Sequence, residues 1–359
     1  MSPFADITHM RTYNRGVKAA VGLALLCVVA AFAGPHRSMP ISDGWLLQDA
    51  AQAPQSAEVI SSAGFQPAGW HRATVPGTVL TSLVNDGVYP EPLYGENNRP
   101  DRIPDTLCRT TWWYRTVFTS PPAAAGNRIW LNFDGINYLA EVWLNGREMG
   151  TIKGAFIRGI FDVTTNLLAG ASNVLAVHIF PQPHPGETHE KTIAKGTGPN
   201  GGITGMDGPT FLCSIGWDWI PTIRDRDSGI WQEVTLSTTG PVVLENPYVT
   251  SDLPLPRTDT ADLTVQTTLR NVTDRPQAGT LTGRAQGIAF GQEVSLGPNE
   301  TRTITLTPAT TPSLRLRKPR LWWPNGFGPA NLYTLHLAFA VKGVVSDTNG
   351  TTVSFGEAA

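Results

Sequence analysis

Three adjacent side chains, Trp217, Asp218 and Trp219, stand closest to recognisable chemistry. A carboxylate between two indoles suits a sugar, whose hydroxyls want hydrogen-bond acceptors and whose C–H faces stack on aromatic rings. In an extended backbone both indoles face one way and the carboxylate the other; at a bend all three line one concave wall. The spacing fits equally a core strand with two buried indoles and an aspartate satisfied by neighbouring N–H groups. The triplet belongs to residues 211–231, which hold three of the eleven tryptophans and, from Arg224 to Asp227, side chains of alternating charge in a sequence only 16% charged.

Other candidate chemistry is weaker. His184, Glu187, His189 and Glu190 are metal-capable types, but they lie in a Pro- and Gly-rich loop where no regular element fixes their directions, so they read as solvated residues. The run Gly196-Thr197-Gly198-Pro199-Asn200-Gly201 matches a dinucleotide fingerprint only as letters, because Pro199 and the following glycines oppose the helix whose N-terminus would hold phosphate. No cofactor and no metal are therefore expected. A net charge of −2 gives no electrostatic case for nucleic acid as a partner. Asn271, Asn299 and Asn349 begin formal N-glycosylation motifs.

The elements that must position the triplet read as strands. Gly and Pro are abundant, 36 and 29 residues, β-branched and aromatic residues come in short runs, and no long stretch has helical apolar spacing, which predicts an all-β chain. Residues 73–80 and 87–95 read as ordered loop around short extended pieces. Strands are predicted over 111–118, 128–133, 140–144, 147–152 and 173–180. Asn145-Gly146 between the third and fourth marks a type I′ hairpin, since both residues accept positive φ. This rhythm predicts a jelly-roll or related sandwich across 41–240. The loop 181–209 leads into the tryptophan stretch and is expected to form part of its wall. Strands over 242–249, 262–269, 301–307 and 332–341 then predict an immunoglobulin-like sandwich across 241–359. Its one aromatic cluster, 321–326, reads as domain packing or as a contact surface.

At the N-terminus, Arg11, Arg15 and Lys18 precede an apolar run ending in Ala31-Phe32-Ala33, the pattern of a secretory signal peptide over residues 1–33. The run is short for a membrane span of about 20 residues. The mature chain is expected to be exported, periplasmic or extracellular, with no membrane segment. Cys108 and Cys213 then remain, either joined or as buried thiols.

Several stretches together resemble glycoside hydrolase family 2: Thr111-Trp112-Trp113-Tyr114-Arg115, Phe133-Asp134-Gly135-Ile136-Asn137 leading to Val142-Trp143-Leu144-Asn145-Gly146, Ser214-Ile215-Gly216-Trp217-Asp218-Trp219-Ile220-Pro221, Asp227-Ser228-Gly229-Ile230-Trp231 and Leu321-Trp322-Trp323-Pro324-Asn325-Gly326. The Trp-Asp-Trp segment looks most like the β-mannosidase and exo-β-D-glucosaminidase branch. The resemblance implies a jelly-roll sugar-binding domain, then an immunoglobulin-like domain, then a (β/α)₈ barrel with two catalytic glutamates of a retaining mechanism. It also implies that Asp218 contacts the sugar nearest the scissile bond while Trp217 and Trp219 shape the wall. A barrel takes about 250 residues, and only Glu357-Ala358-Ala359 follow Phe355-Gly356, where the family passes into it. The expectation is a truncated, non-catalytic portion whose partners are a β-linked glucosamine or mannose oligosaccharide and, as a candidate, a separately encoded catalytic barrel. The alternative is a free-standing carbohydrate-binding module. Asn299-Glu300 imitates the family's acid/base dipeptide but is expected on a turn, as a decoy.

Overall fold

The computed structural model describes residues 38–122, 126–189, 193–194 and 223–354. Apart from short helices, those residues form two antiparallel β-sandwiches, each with its own core.

The first sandwich contains β1 (Met39–Pro40), β2 (Leu46–Asp49), β3 (His71–Arg72), β4 (Trp112–Thr119), β5 (Arg128–Phe133), β6 (Leu139–Leu144), β7 (Arg147–Lys153), β8 (Gly159–Asp162), β9 (Ser172–Phe180) and β10 (Val234–Thr239). One sheet has the order β3-β2-β4-β9-β6-β7 and the other β1-β10-β5-β8. Alternation decides which side chains go inside. Ala140, Val142 and Leu144 of β6 meet Leu175, Val177 and Ile179 of β9 in the core with Leu131 and Phe133 of β5. The hairpin between β6 and β7 turns at Asn145 and Gly146, with φ of 52° and 80°, as their sequence predicts. The outer face of the larger sheet is covered by the segment around helix α1 (Ala57–Ile60), which packs on Trp113 and Ala176.

One expectation is corrected. Residues 73–80 are not loop to their end, because Thr78 starts helix α2 (Val79–Asn85) and its Oγ1 accepts the backbone N–H of Thr81 at 3.2 Å. Val79, Leu80 and Leu83 are buried on one face of the helix.

The second, immunoglobulin-like sandwich contains β11 (Val242–Asp252), β12 (Thr260–Asn271), β13 (Gln277–Ala285), β14 (Ile288–Leu296), β15 (Thr301–Leu306), β16 (Arg315–Arg317), β17 (Leu332–Val341) and β18 (Val344–Ser354). One sheet runs β11-β12-β15, with β16 on β12, and the other β14-β13-β17-β18. The strictly alternating burial of β12 directs Leu263, Val265 and Leu269 into the core.

Polar contacts join the two sandwiches closely. Gly240, directly after β10, donates its N–H to Ser346 O of β18 at 2.7 Å. Arg128 reaches Val272 O at 2.9 Å, while the Arg270 guanidinium lies 5.1 Å from the ring centre of Trp130. Among the described residues no helix is long and apolar enough to cross a membrane.

Candidate functional site

The alternating charges at 224–227 include the most deeply buried ionic side chains described in the first sandwich: Arg224, Asp225 and Arg226 are all 3% exposed or less. Burial of that kind demands partners, and each partner comes from a different part of the chain. The Asp225 carboxylate accepts Leu80 N–H at 2.6 Å and Asp227 N–H at 3.0 Å. It thereby caps α2 from 145 residues away, with its negative charge at the positive end of the helix. Arg224 donates to Asn98 O at 2.5 Å. Arg226 donates through Nε to Pro185 O at 2.6 Å and through Nη1 to Ile223 O at 2.7 Å and the Asp105 carboxylate at 3.2 Å. Its remaining nitrogen, Nη2, finds no partner among the described residues.

The turn is fixed from its other side as well. Asn137 Nδ2 donates to the carbonyls of Arg226 and Asp227, each at 3.0 Å, and the Asn137 backbone pairs with Gly229. Gly77 N–H and Val79 N–H donate to Ile230 O and Ser228 O. Gly229, at φ +147°, leaves no room for a side chain: a Cβ there would sit 2.7 Å from Gly77 O and 2.8 Å from Thr78 Cα. Trp231 follows, with its indole N–H on Ala155 O at 3.0 Å and its ring edge-to-face with Phe156.

The long loop is tied to the same turn. Besides the Arg226 contact at Pro185, Arg109 donates to Gly186 O at 2.5 Å and Thr188 N–H to Asp105 at 3.4 Å. Arg226 and Asp105 thus hold the start of the excursion, near residue 185, against its end, near residue 226. Trp217, Asp218, Trp219 and Cys213 belong to that excursion and lie outside the described residues, as do Glu190 and the glycine run 196–201.

Burial sets the titration of the turn. Desolvation raises the Asp225 carboxyl above its ordinary range, against the hydrogen bonds from Leu80 and Asp227. Desolvation and then the Asp225 charge push Asp227 up to about 7, with Arg226 opposing. The buried Tyr114 phenol is raised, first by desolvation and next by the Asp225 charge. Cys108 is a buried free thiol that donates to Asp105 O at 3.1 Å, and burial raises its pKa.

Two sequence motifs lose their chemistry in the structure. Glu300 lies at the turn before β15, where its carboxylate accepts Gly297 N–H at 2.6 Å and pairs with Arg302 at 2.5 Å, interactions that hold its pKa down. It is committed to the turn. Asn271 is 1% exposed, and its amide donates to Arg275 O and Gly297 O, so it is no glycan acceptor in the folded chain.

Against known families, residues 45–232 match the galactose-binding domain-like model of glycosyl hydrolase 2, and residues 242–356 match that of glycosyl hydrolases family 2. The chain belongs to glycosyl hydrolase family 2. An exo-β-D-glucosaminidase of Streptomyces avermitilis is 34% identical over 93% of this chain and 36% of its own length. A mannosylglycoprotein endo-β-mannosidase of Lilium longiflorum is 35% identical over 80% of the chain and 30% of its own. Among solved structures, the exo-chitosanase CsxA of Amycolatopsis orientalis superposes with a TM-score of 0.72 at 28% identity, covering 89% of this chain and 34% of that one. A β-glucuronidase of Bacteroides uniformis, at a TM-score of 0.59 and 18% identity, shares the fold. The chain spans about a third of the length of the curated relatives it matches.

Proposed function

We propose that this chain is the sugar-wall portion of an exported family 2 exo-β-glycosidase of the exo-β-D-glucosaminidase or β-mannosidase type. It is non-catalytic by itself. Asp218 accepts hydrogen bonds from the terminal sugar of a β-linked glucosamine or mannose oligosaccharide, while Trp217 and Trp219 stack on its C–H faces. The observation that carries the reading is the chain-long similarity to exo-β-D-glucosaminidases. The clamp between Arg226, Asp105 and Pro185 supports it, because it gives the excursion that carries Asp218 a fixed base. Hydrolysis in a retaining enzyme takes two carboxyls about 5 Å apart, and these belong to the portion of the enzyme that this chain does not match. That portion completes the site, either in the same polypeptide or as a separate one. Export rests on the basic residues and the apolar run that end at Ala33.

The test combines the purified full chain with the unmatched portion of the Streptomyces avermitilis enzyme and follows hydrolysis of aryl β-D-glucosaminide and aryl β-D-mannoside. Activity is expected only in the mixture, and Asp218→Ala should lower it at least a hundredfold. Equal activity without this chain, or with the variant, sinks the reading. Heat from chitosan oligomers on the chain alone, lost in Asp218→Ala, would instead mark a free-standing carbohydrate-binding module.

A further inference from the structure

The segment between β16 and β17 turns an aromatic face outward. Trp322 and Trp323 are 37% and 43% exposed, and Phe327 is 79% exposed. The backbone beneath them is tightly bonded. Trp322 bridges Ala330, Trp323 N–H donates to Pro329 O at 3.1 Å, Phe327 N–H to Pro324 O at 3.0 Å, and the Asn331 amide to Leu321 O at 2.8 Å. Gly328 lies so close to Trp323 that a Cβ would stand 2.6 Å from the indole. Arg320 spreads over Tyr333, 5.0 Å from the ring centre, and its N–H donates to the Tyr333 hydroxyl at 2.7 Å. Aromatic rings held this way surrender little entropy on docking, which is what anchor residues of protein interfaces require.

Three observations identify the occupant. The first is position. Leu332, directly after the turn, pairs with Ser354, whereas Ser346 of the same strand accepts the N–H of Gly240, directly after the last strand of the first sandwich. The span from residue 346 to 354 is roughly 26 Å at about 3.3 Å per strand residue. The aromatic turn therefore sits at the end of the second sandwich remote from that junction, and the sequence alternative of packing between the two domains does not apply to it. The second is length. The curated relatives are about three times as long as this chain, and Ser354, the last described residue, pairs with Leu332 just after these rings. The third is charge. Arg317, Lys318 and Arg320 are exposed around the turn. A cationic amino-sugar polymer is repelled there, and a two-fold contact with a second copy would bring like charges together.

We propose that the 321–328 turn is the docking seat for the two thirds of a family 2 enzyme that this chain does not match, which presents an apolar face ringed by carboxylates. The proposal rests on the reading of the chain as part of a longer glycosidase. The test titrates the full chain with the unmatched portion of the Streptomyces avermitilis enzyme by calorimetry, and compares wild type with Trp322→Ser/Trp323→Ser and, separately, Phe327→Ser. Binding is expected, weaker at least tenfold in either variant and weaker in raised salt. Phe327→Ser, at the most exposed ring, decides the matter where the double variant fails to fold. Unchanged affinity in the variants, no binding of the wild type, or a self-dimer that the substitutions abolish each overturns the proposal. Aryl-glycoside hydrolysis in the same mixtures separates the two readings. Hydrolysis that needs Asp218 but not the turn leaves the function standing and sinks the docking seat. Turn-dependent binding without hydrolysis of either glycoside leaves the seat standing and sinks the function.

Discussion

Replacing Asp227 by asparagine is expected to stabilise the first sandwich at pH 8 more than at pH 4. Asp227 sits in the buried turn at φ 56°, and its carboxyl is pushed up to about 7 by desolvation and then by Asp225. In the unfolded chain the same group titrates near about 3.9. Between these values the folded chain holds a proton that the unfolded chain has lost, so stability falls as the pH rises through the window and the loss is complete above about 7. A displacement of about three units corresponds to about 4 kcal/mol; the carboxylate keeps some contact with solvent, which reduces this to about 2 kcal/mol. For a folding unit of roughly 150–250 residues, each kcal/mol moves the melting midpoint by about 2–4 °C. The variant should therefore melt about 4–8 °C above wild type at pH 8. Asparagine also tolerates positive φ well, which adds a gain that does not vary with pH. The diagnostic quantity is thus the difference between the two pH values. Calorimetric melts from pH 4 to 8 measure it, with Asp225 leaving a residual slope in both proteins because its carboxyl is raised in the same direction. A gain that is the same at pH 4 and pH 8 would refute the argument.

Other substitutions test the remaining contacts. Asn137→Ala removes both amide bonds to the carbonyls of Arg226 and Asp227 and leaves those groups buried, at an expected cost of about 2–3 kcal/mol in urea unfolding. Gly229→Ala drives a Cβ against the backbone of Gly77 and Thr78 at an unfavourable φ, so a loss above about 3 kcal/mol, or failure to accumulate folded protein, is expected. Ser346→Ala strips both hydroxyl bonds that tie β18 to Val242 of β11; scanning calorimetry should show the second sandwich melting earlier than in wild type, with about 1–3 kcal/mol lost.

The strands with strong β-branched and aromatic runs were legible in the sequence, as was the Asn145-Gly146 hairpin, because period-two burial and positive-φ turn chemistry are local properties. The β13–β14 hairpin was not. Its strands carry Gly279, Gly283 and Gly291 where a packed side chain would announce a strand, and the sheet tolerates them because Phe290 and Phe339 fill the space. Helix α2 was masked by the Val-Pro-Gly before it and by its seven-residue length, too short for a periodic signal. The burial of the ionic turn was not legible for a different reason. Alternating charge is ordinarily a sign of solvent, and only the tertiary fold brings Leu80, Asp105, Asn137 and Pro185 to it. The one local hint was Gly229, a backbone position that admits no side chain, directly after the charges.

That turn changes how the tryptophan stretch has to be understood. Bringing together two points of a chain costs a closure entropy growing only as about (3/2)RT ln n, so the length between residues 185 and 226 adds little once these two ends are fixed. Fixing them is the expensive part, since Arg226 must be stripped of water to do it. The Asp105 carboxylate offsets its charge, and the carbonyls of Pro185 and Ile223 take two of its donors, while Asn137 occupies the carbonyls of the turn itself. A lysine in its place would carry the charge but not the planar fork that reaches three acceptors in different directions. The sheets of the first sandwich therefore reach the chain near residues 185 and 226 only at second hand: they hold α2 and Asn137, these hold the ionic turn, and the turn holds those two stretches together.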